Sequence, residues 1–306
     1  MRSFIALTSF TLSALGVAGA TAQHPQCESA PFAAVEFAPH LADSGMLFRG
    51  QLSPDGKTLY YFRKMTPGKE NYRIYISRLE NGTWSRPEKI LIGGDFSELY
   101  PTLTPDGRRL IFSSYQPVPG DTSSHPNAHL YSAERRGAGW GPPVLQRAAS
   151  RIGWYHSGPM IGPDNALHFS ITSPDWRTII AMRSEWNGRE YGAPTPYTEG
   201  ERWKNWRRES LFVWGAQAIP GDSVMLVYAS TRKPGGGTYG TDLYATFRRA
   251  GGWSEPQPIG AGVNTRDGTE GFASVSPDGC ELLFTRDYSR FYHVSLAAAL
   301  ASARQP

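Results

Sequence analysis

Five copies of one turn divide the chain, and each copy lies between two short apolar segments. Their aspartates, Asp55, Asp106, Asp164, Asp222 and Asp278, are 51, 58, 58 and 56 residues apart. The copies are Ser53-Pro54-Asp55-Gly56, Thr104-Pro105-Asp106-Gly107, Gly162-Pro163-Asp164-Asn165, Pro220-Gly221-Asp222-Ser223 and Ser276-Pro277-Asp278-Gly279. A regular period of this length is typical of a repeat architecture.

Each repeat has the pattern of a small antiparallel sheet. A short β-branched or aromatic segment follows every turn, as in Leu59-Tyr60-Tyr61-Phe62, and a second such segment comes next, as in Ile74-Tyr75-Ile76-Ser77. Then comes a tight turn with an aromatic residue, such as Asn81-Gly82-Thr83-Trp84. Asn-Gly and Gly-Gly pairs supply the positive φ angles that hairpins need. The pattern predicts four strands per repeat.

Four-stranded units bury each other when they pack around an axis, which predicts an all-β, five-bladed β-propeller of four-stranded antiparallel blades. The last repeat lacks its outermost strand, and residues 33–39, before the first turn, have the pattern of that strand. We therefore expect an N-terminal strand to join the C-terminal blade and close the ring, which removes exposed sheet edges. The alanine-rich tail, residues 296–304, predicts a short helix.

The N-terminus has the features of an export signal. Arg2 provides a positive charge, residues 4–17 are apolar, and Ala20-Thr21-Ala22 is a small-x-small cleavage site. We expect cleavage after about Ala22, a single propeller domain over residues 23–306, and a periplasmic or secreted protein. The apolar run is shorter than the roughly 20 residues that a membrane span requires, so no span is expected. A net charge of +4, or +3 without Arg2, is too small to predict nucleic-acid binding.

The two cysteines, Cys27 and Cys280, lie near opposite ends of the chain. If both ends contribute to one blade, a disulfide between them would constrain the unfolded chain by about 4–5 kcal/mol. Disulfides persist in exported proteins, whereas two free thiols are the alternative.

Taken together, several motifs resemble the TolB-like, WD-type propeller repeats of bacterial periplasmic proteins. They are the Ser-Pro-Asp-Gly turn with its following Leu-Tyr or Leu-Phe strand, the stretch Ser230 to Gly237 leading to Asp242-Leu243-Tyr244, and Trp253-Ser254-Glu255-Pro256 followed by Val263-Asn264-Thr265. The resemblance covers roughly residues 30–295 and implies the propeller fold. It does not imply one function, because the functions of such propellers are diverse.

The turns divide the predicted ring into two faces. The Pro-Asp-Gly turns and the aromatic turns share one face, called the lower face here, and the dissimilar loops share the upper face, where binding is expected. Counting back eight residues from each turn aspartate gives five predicted channel-mouth positions: Leu47, Glu98, His156, Trp214 and Glu270. Two residues further in lie Arg49, Tyr100, Gly158, Ala216 and Phe272.

Three of the channel-mouth residues are candidates for chemistry. Glu98 and Glu270 could hold a divalent cation or act as an acid and base pair on a glycoside, or they could only brace the ends of the inner strands. His156, with His125 and His129, could bind a transition metal, although the spacing matches no metal motif. No metal site and no cofactor are predicted.

A second group of candidates could bind ligand without chemistry. Trp203 and Trp206 offer flat apolar faces, and Arg207 and Arg208 offer guanidinium groups for carboxylates, although the tryptophans could also pack against a neighbouring blade. The predicted ligand-binding set is Trp203, Trp206, Arg207, Arg208, Arg49, Tyr100, Tyr155, Trp214 and Arg232.

The sequence favours a non-catalytic, monomeric propeller that binds a protein, peptide or envelope glycan through its upper face. The alternative is a carbohydrate-active enzyme, because five-bladed propellers with carboxylates around a central funnel resemble arabinan- and fructan-cleaving glycosidases. Here only Glu98 and Glu270 match in register, and Glu209 does not. A third hypothesis, on resemblance to TolB-like oligogalacturonate lyases, has histidines holding a metal. No Gly-x-Ser-x-Gly elbow, Cys-x-x-Cys pair or phosphate loop is present.

Overall fold

The computed structural model shows five antiparallel sheets arranged in a closed ring, a five-bladed β-propeller. It describes residues 27, 32–42, 46–65, 71–121, 127–162, 164–176, 178–196, 212–218, 224–232, 239–249 and 252–303. Each blade contacts the next, and blade 5 contacts blade 1 through the inner strands. The predicted fold class is therefore confirmed.

The blades follow the chain in order, from the innermost strand outward. Blade 1 comprises β2 (Met46–Leu52), β3 (Thr58–Lys64), β4 (Tyr72–Glu80), β5 (Thr83–Trp84) and β6 (Glu88–Lys89). Blade 2 comprises β7 (Glu98–Leu103), β8 (Arg109–Ser114), β9 (His129–Arg136), β10 (Gly139–Trp140) and β11 (Val144–Leu145). Blade 3 comprises β12 (Tyr155–Ile161), β13 (Leu167–Thr172), β14 (Ile179–Ser184) and β15 (Thr195–Pro196). Blade 4 comprises β16 (Phe212–Ala218), β17 (Val224–Arg232), β18 (Tyr239–Arg249), β19 (Gly252–Trp253) and β20 (Gln257–Pro258).

Blade 5 takes strands from both ends of the chain. It comprises β21 (Glu270–Val275), β22 (Glu281–Arg286), β23 (Arg290–Ser295) and, outermost, the N-terminal β1 (Val35–Phe37). Strand β1 pairs antiparallel with β23, with Val35 opposite His293 and Phe37 opposite Phe291. The predicted closure of the ring by an N-terminal strand is confirmed.

Two further features hold the chain ends at blade 5. The Sγ atoms of Cys27 and Cys280 lie 2.01 Å apart in a disulfide that spans 253 residues. Helix α1 (Leu296–Ser302) follows β23 directly, and Leu296 and Ala299 are buried in the core of blades 4 and 5.

The Pro-Asp-Gly turns join the first and second strands of the blades. In blade 1 the Ser53 hydroxyl donates to the Asp55 carboxylate, which also accepts the backbone N–H of Lys57. Gly56 completes the turn at φ 69°, in the left-handed region. The turns of blades 2 and 5 repeat this arrangement, whereas residues 219–223, with the fourth copy, lie outside the described residues.

The turns of different blades meet on one face. Pro54, Pro105, Gly162 and Pro277 line a single opening of about 280 Å³ at the lower end of the channel. A neighbouring groove is lined by the Asp55 and Asp106 turns together with the aromatic turn at Gly139. These contacts place the Pro-Asp-Gly turns and the aromatic turn of blade 2 on the same side of the disc.

Each inner strand has a β-bulge halfway along its length, where the register to the second strand shifts by one residue. In the four blades with described inner side chains, the first bulged residue has a positive φ. These residues are Arg49, Tyr100, Gly158 and Phe272, with φ of 42°, 54°, 60° and 53°. A bulge bends the strand and changes the direction of the side chains that follow.

None of the helices in the described ranges combines the length and the apolar character that crossing a bilayer requires. Residues 1–22, the predicted signal, lie outside those ranges.

Candidate functional site

The side chains of the two predicted channel-mouth glutamates are buried and hydrogen-bonded. Glu98 is 1% exposed, and its Oε1 accepts the backbone N–H of Gly93 at 2.7 Å. Glu270 is fully buried, and its Oε1 accepts the Thr265 hydroxyl at 2.7 Å and the Arg286 guanidinium at 3.0 Å. Neither carboxyl group is exposed to solvent as a channel-mouth acid or base would be. Both carboxylates brace the segments that lead into inner strands, which was the structural alternative.

The environment of Glu98 affects its protonation. Burial raises the pKa of its carboxyl from the ordinary value of 4.5 to about 7, although the Gly93 N–H and the charge of Arg73 oppose this shift. Its second oxygen, Oε2, has no hydrogen-bond partner among the described residues.

The side chain of His156 is also buried, and its ring is bonded to backbone groups. Its Nε2 accepts the backbone N–H of Arg151 at 3.0 Å, and its Nδ1 lies 2.9 Å from the carbonyl oxygen of Trp154. Burial, followed by the neighbouring His129, lowers the pKa of His156 to about 3, so the ring is neutral. His129 instead contacts Asp121, with 3.0 Å between Nε2 and Oδ2, and His125 lies outside the described residues. Both nitrogens of His156 are occupied by backbone, so it cannot ligate a metal in this arrangement.

The upper face contains an aromatic cavity of about 990 Å³. We use the name aromatic cavity for the space whose lining includes ten aromatic side chains: Phe48, Phe62, Tyr72, Phe96, Tyr100, Tyr115, Tyr155, Trp176, Phe272 and Tyr288. They come from blades 1, 2, 3 and 5, and Thr241 of blade 4 completes the lining. A concave site of this size with a few polar groups is the usual form of a small-molecule site.

Six of these rings form a packed first wall: Phe48, Phe62, Tyr72, Tyr100, Phe272 and Tyr288. The ring centroids of Phe48 and Phe62 are 4.9 Å apart, and those of Phe62 and Tyr100 are 4.8 Å apart. Phe272 packs edge-on against Phe48 at 5.2 Å. Such pairs stabilise by about 0.5–1.5 kcal/mol each beyond burial, so the wall is rigid.

The bulges place two rings of this wall. Tyr100 and Phe272 are the first bulged residues of β7 and β21, and both line the cavity. The equivalent Arg49 of β2 is 3% exposed, and its charge acts on the phenol of Tyr100. The bulges of β7 and β21 thus direct the side chains of Tyr100 and Phe272 toward the cavity.

Tyr115, Tyr155 and Trp176 form a second wall, from blades 2 and 3. Ring centroids are 6.1 Å apart for Tyr115 and Tyr155 and 5.4 Å apart for Tyr155 and Trp176. The Tyr155 phenol interacts with the phenols of Tyr100 and Tyr115, which connects the two walls. Burial raises the pKa of both Tyr100 and Tyr155, so their phenols stay neutral.

Trp176 lies on a further Ser-Pro-Asp turn, Ser173-Pro174-Asp175-Trp176, which joins β13 to β14 on the upper face. The Ser173 hydroxyl donates to the Asp175 carboxylate, and the Trp176 N–H donates to the Ser173 carbonyl at 2.9 Å. Trp176 has φ 60° where the lower-face copies have glycine or asparagine. The repeat motif therefore recurs with a tryptophan in its left-handed position.

The charged groups of the lining lie together at the margin of the cavity. Lys64 Nζ lies 5.5 Å from the centroid of the Tyr72 ring. The Arg73 guanidinium donates to the carbonyl oxygens of Asp95 and Phe96 at 2.8 and 2.9 Å. Asp95 is the one carboxylate in the described lining. Cationic and anionic groups are therefore both present, and the interior is neutral.

The structure brings together only part of the predicted ligand-binding set. Tyr100 and Tyr155 line the cavity, and Arg49 is buried beside Tyr100. The other members lie outside the described residues, either entirely or in their side chains: Trp203, Trp206, Arg207, Arg208, Trp214 and Arg232.

The sequence prediction missed most of the rings that line the cavity. The missed aromatic residues are Phe48, Phe62, Tyr72, Phe96, Tyr115, Trp176 and Tyr288. One signal could have revealed Trp176, because a Ser-Pro-Asp turn that ends in a bulky residue departs from its own motif. The others carry no comparable local signal.

No protein-family model and no curated protein sequence matches the chain. Solved structures that are similar in fold include a putative TolB from Agrobacterium tumefaciens, 15% identical over 83% of this chain and 79% of that one, with a TM-score of 0.48. Kuenenia stuttgartiensis hydrazine synthase is 16% identical over 89% and 81% of the two chains, with a TM-score of 0.49. The catalytic domain of a Coprinopsis cinerea GH62 α-L-arabinofuranosidase is 12% identical over 88% and 96%, with a TM-score of 0.47. These similarities concern the fold and do not select one function.

Proposed function

We propose that this protein is a non-catalytic binding module that holds its ligand in the aromatic cavity of the upper face. The observation that carries the proposal is backbone strain. Tyr100, Trp176, Phe272 and Tyr288 line the cavity, and all four have left-handed backbone with φ between 52° and 60°. Bulky residues in this region cost about 1–3 kcal/mol each and cluster at functional sites.

The arrangement of carboxylates supports binding over catalysis. Glycoside hydrolysis requires two carboxyl groups that flank the scissile bond. Glu98 and Glu270 are buried outside the lining, and the lining contributes only Asp95 within the described residues. Within the part of the chain that the structure describes, the glycosidase alternative thus has no acid and base pair at this cavity.

Two observations support an exported protein. The first 22 residues have the pattern of a signal peptide, and a disulfide joins Cys27 to Cys280, as is usual in an oxidising compartment. We place the protein in the periplasm or outside the cell, as a monomer. Its partner would be a protein, peptide or glycan that presents a ring or another flat apolar group to the cavity.

Binding and turnover measured in the same samples test this proposal. The ligands would be peptides that contain aromatic residues, and oligosaccharides. Calorimetry would measure binding, and chromatography would detect any product. We expect saturable binding of one ligand per chain, no product, and at least tenfold weaker binding in Tyr155→Ala. The matched control is Trp253→Ala, in the aromatic turn of blade 4, which should bind normally.

Two results would contradict the proposal. One is product formation that disappears in Glu98→Gln, which would indicate an enzyme. The other is binding that Tyr155→Ala leaves unchanged in a protein with a normal melting temperature, which would move the site away from the cavity.

A further inference from the structure

We infer that the ligand of the aromatic cavity is an uncharged carbohydrate chain, whose sugar rings lie between the two aromatic walls and bond to the phenols that connect them. This inference rests on the proposed binding function and specifies its ligand.

The shape of the lining matches the two chemical sides of a sugar ring. A pyranose has flat C–H faces and a perimeter of hydroxyl groups. Tyrosine and tryptophan present an apolar ring face together with a polar tip. In the cavity, Trp176 and Tyr155 of the second wall and Tyr100 of the first wall all line the same space. Ring faces are thus available on two sides of a bound chain.

The polar atoms of the lining are mostly hydroxyls. Apart from the tyrosines, the lining includes Ser97, Ser157, Thr172 and Thr241. A hydroxyl group can donate and accept hydrogen bonds, as each hydroxyl of a sugar also does. The Tyr100, Tyr155 and Tyr115 phenols already interact with one another, and each can donate to and accept from ligand hydroxyls without any change of charge.

The charge of the cavity disfavours a charged ligand. The raised pKa of the Tyr100 and Tyr155 phenols keeps them neutral at any physiological pH. Lys64 and Arg73 at the margin oppose a cation, and Asp95 offsets one of their two positive charges, so the described lining offers an anion a net charge of only +1. Arg73 is moreover engaged with the backbone oxygens of Tyr72, Asp95 and Phe96.

The backbone around the channel disfavours a peptide in extended form. A bound peptide strand needs a regular row of free backbone groups along a sheet edge. Here the inner strands that face the axis are interrupted by bulges at Arg49, Tyr100, Gly158 and Phe272. A bulge disrupts such a row. The cavity volume, about 990 Å³, is at the upper end for small-molecule sites and accommodates several sugar rings.

Titration calorimetry with a panel of hexasaccharides tests the inference. The neutral ligands are cellohexaose, xylohexaose, maltohexaose and the hexamer of N-acetylglucosamine, and the comparison ligands are a polyuronate hexamer and a hexapeptide rich in tyrosine and proline. We expect at least one neutral hexasaccharide to bind one to one and more tightly than the polyuronate and the peptide. Trp176→Ala should weaken this binding by about tenfold, or about 1.4 kcal/mol, because it removes a ring on which a sugar stacks.

Tyr155→Phe serves as the second variant, because it keeps the ring and removes only one hydroxyl. It should weaken neutral oligosaccharide binding by about 3- to 10-fold, as expected for one lost hydrogen bond. Trp253→Ala in blade 4 is the matched control and should bind as the wild type does.

The outcomes separate this inference from the proposed function. If the peptide or the polyuronate binds more tightly and Trp176→Ala weakens it, the ligand class is wrong and the binding function stands. If no neutral hexasaccharide binds, the ligand class is also overturned. If a ligand binds equally well to the wild type, Trp176→Ala and Tyr155→Phe, the cavity is not the binding site and both proposals fail.

Discussion

The two faces of the propeller use the same turn with different residues. On the lower face, the Ser-Pro-Asp and Thr-Pro-Asp turns of blades 1, 2 and 5 end in Gly56, Gly107 and Gly279, at φ between 67° and 75°. On the upper face, the turn that begins at Ser173 has the same internal hydrogen bonds and ends in Trp176 at φ 60°. The backbone is alike, and only the residue that occupies the left-handed position differs.

The difference shows how strain can mark a site. A Cβ on Gly56 or Gly279 would have no atom within 4 Å among the described residues, so glycine there serves the backbone alone. Trp176 occupies the strained position and is 47% exposed, while its ring lines the cavity beside Tyr155. Uniform turns therefore indicate architecture, and the departure from the uniform turn at Trp176 supports the binding role that we propose for this residue.

The largest predicted effect on stability concerns the disulfide between Cys27 and Cys280. Cys280 directly follows the lower-face turn of blade 5. The Cys27→Ser and Cys280→Ser double variant should lose about 2–5 kcal/mol of the free energy of unfolding, because the disulfide closes a loop of 253 residues. Denaturant titration of both proteins, with and without reductant, measures this loss.

Reductant should destabilise only the wild type. The double variant in reductant is therefore the control for any effect that does not come from the disulfide. A midpoint that is the same in both oxidised proteins would show that the pairing of β1 with β23 closes the ring without the disulfide.

The next largest predicted effect is a pH dependence of stability that depends on Glu98 of blade 2. Glu270 occupies the same position in blade 5. Glu270 is bonded to Thr265 and Arg286, whereas Glu98 accepts the Gly93 N–H. The residue opposite Glu98 on the second strand, where blade 5 has Arg286, is the uncharged Ser114. Because burial raises the pKa of Glu98 to about 7, the unfolded chain releases this proton at lower pH than the folded protein does. The free energy of unfolding should therefore fall between pH 4.5 and 7, by about 1.4 kcal/mol per pH unit and about 3 kcal/mol in total.

Glu98→Gln should remove this part of the pH dependence and be more stable than the wild type at pH 8. Glu270→Gln should instead destabilise the protein by about 2 kcal/mol at pH 7, because it removes the partner of Arg286. Denaturant titrations at several pH values measure both variants. An identical pH profile for the wild type and Glu98→Gln would contradict the assignment.

A smaller effect tests the cost of the left-handed position itself. Gly56→Trp copies the upper-face turn onto the lower face, where the added side chain has open space. It should destabilise the protein by about 1–2 kcal/mol through backbone strain. Gly56→Asn, which tolerates this conformation, should lose less. Equal stability of the two variants would show that the turn relaxes and that the strain argument for Trp176 is unsound.

Much of the fold could be predicted from the sequence because it depends on local chemistry. The repeated turns give the number of blades, and the missing outer strand of blade 5 predicts the closure by β1, which the pairing of β1 with β23 confirms. These features involve residues whose backbone requirements are written in short motifs.

The site was less predictable because it depends on geometry between blades. Counting along the inner strands identified Tyr100 and Phe272, but it also selected Glu98, His156 and Glu270, whose side chains are buried and do not line the cavity. Counting assigns positions along a strand, whereas packing between blades and the bulge decide which way each side chain points. The aromatic cavity combines rings from four blades, and no single motif contains them.

The smallest predicted change in stability belongs to Trp176→Gly. The substitution relieves left-handed strain of about 1 kcal/mol and removes the ring contact with Tyr155, which contributes about 0.5–1.5 kcal/mol. These terms oppose each other, so the free energy of unfolding should change by less than about 1 kcal/mol, as measured by denaturant titration. Ligand binding should nevertheless fall by about tenfold or more. A loss of several kcal/mol would instead assign Trp176 to the packing of blade 3, and the upper-face turn would then differ from its lower-face copies for stability and not for binding.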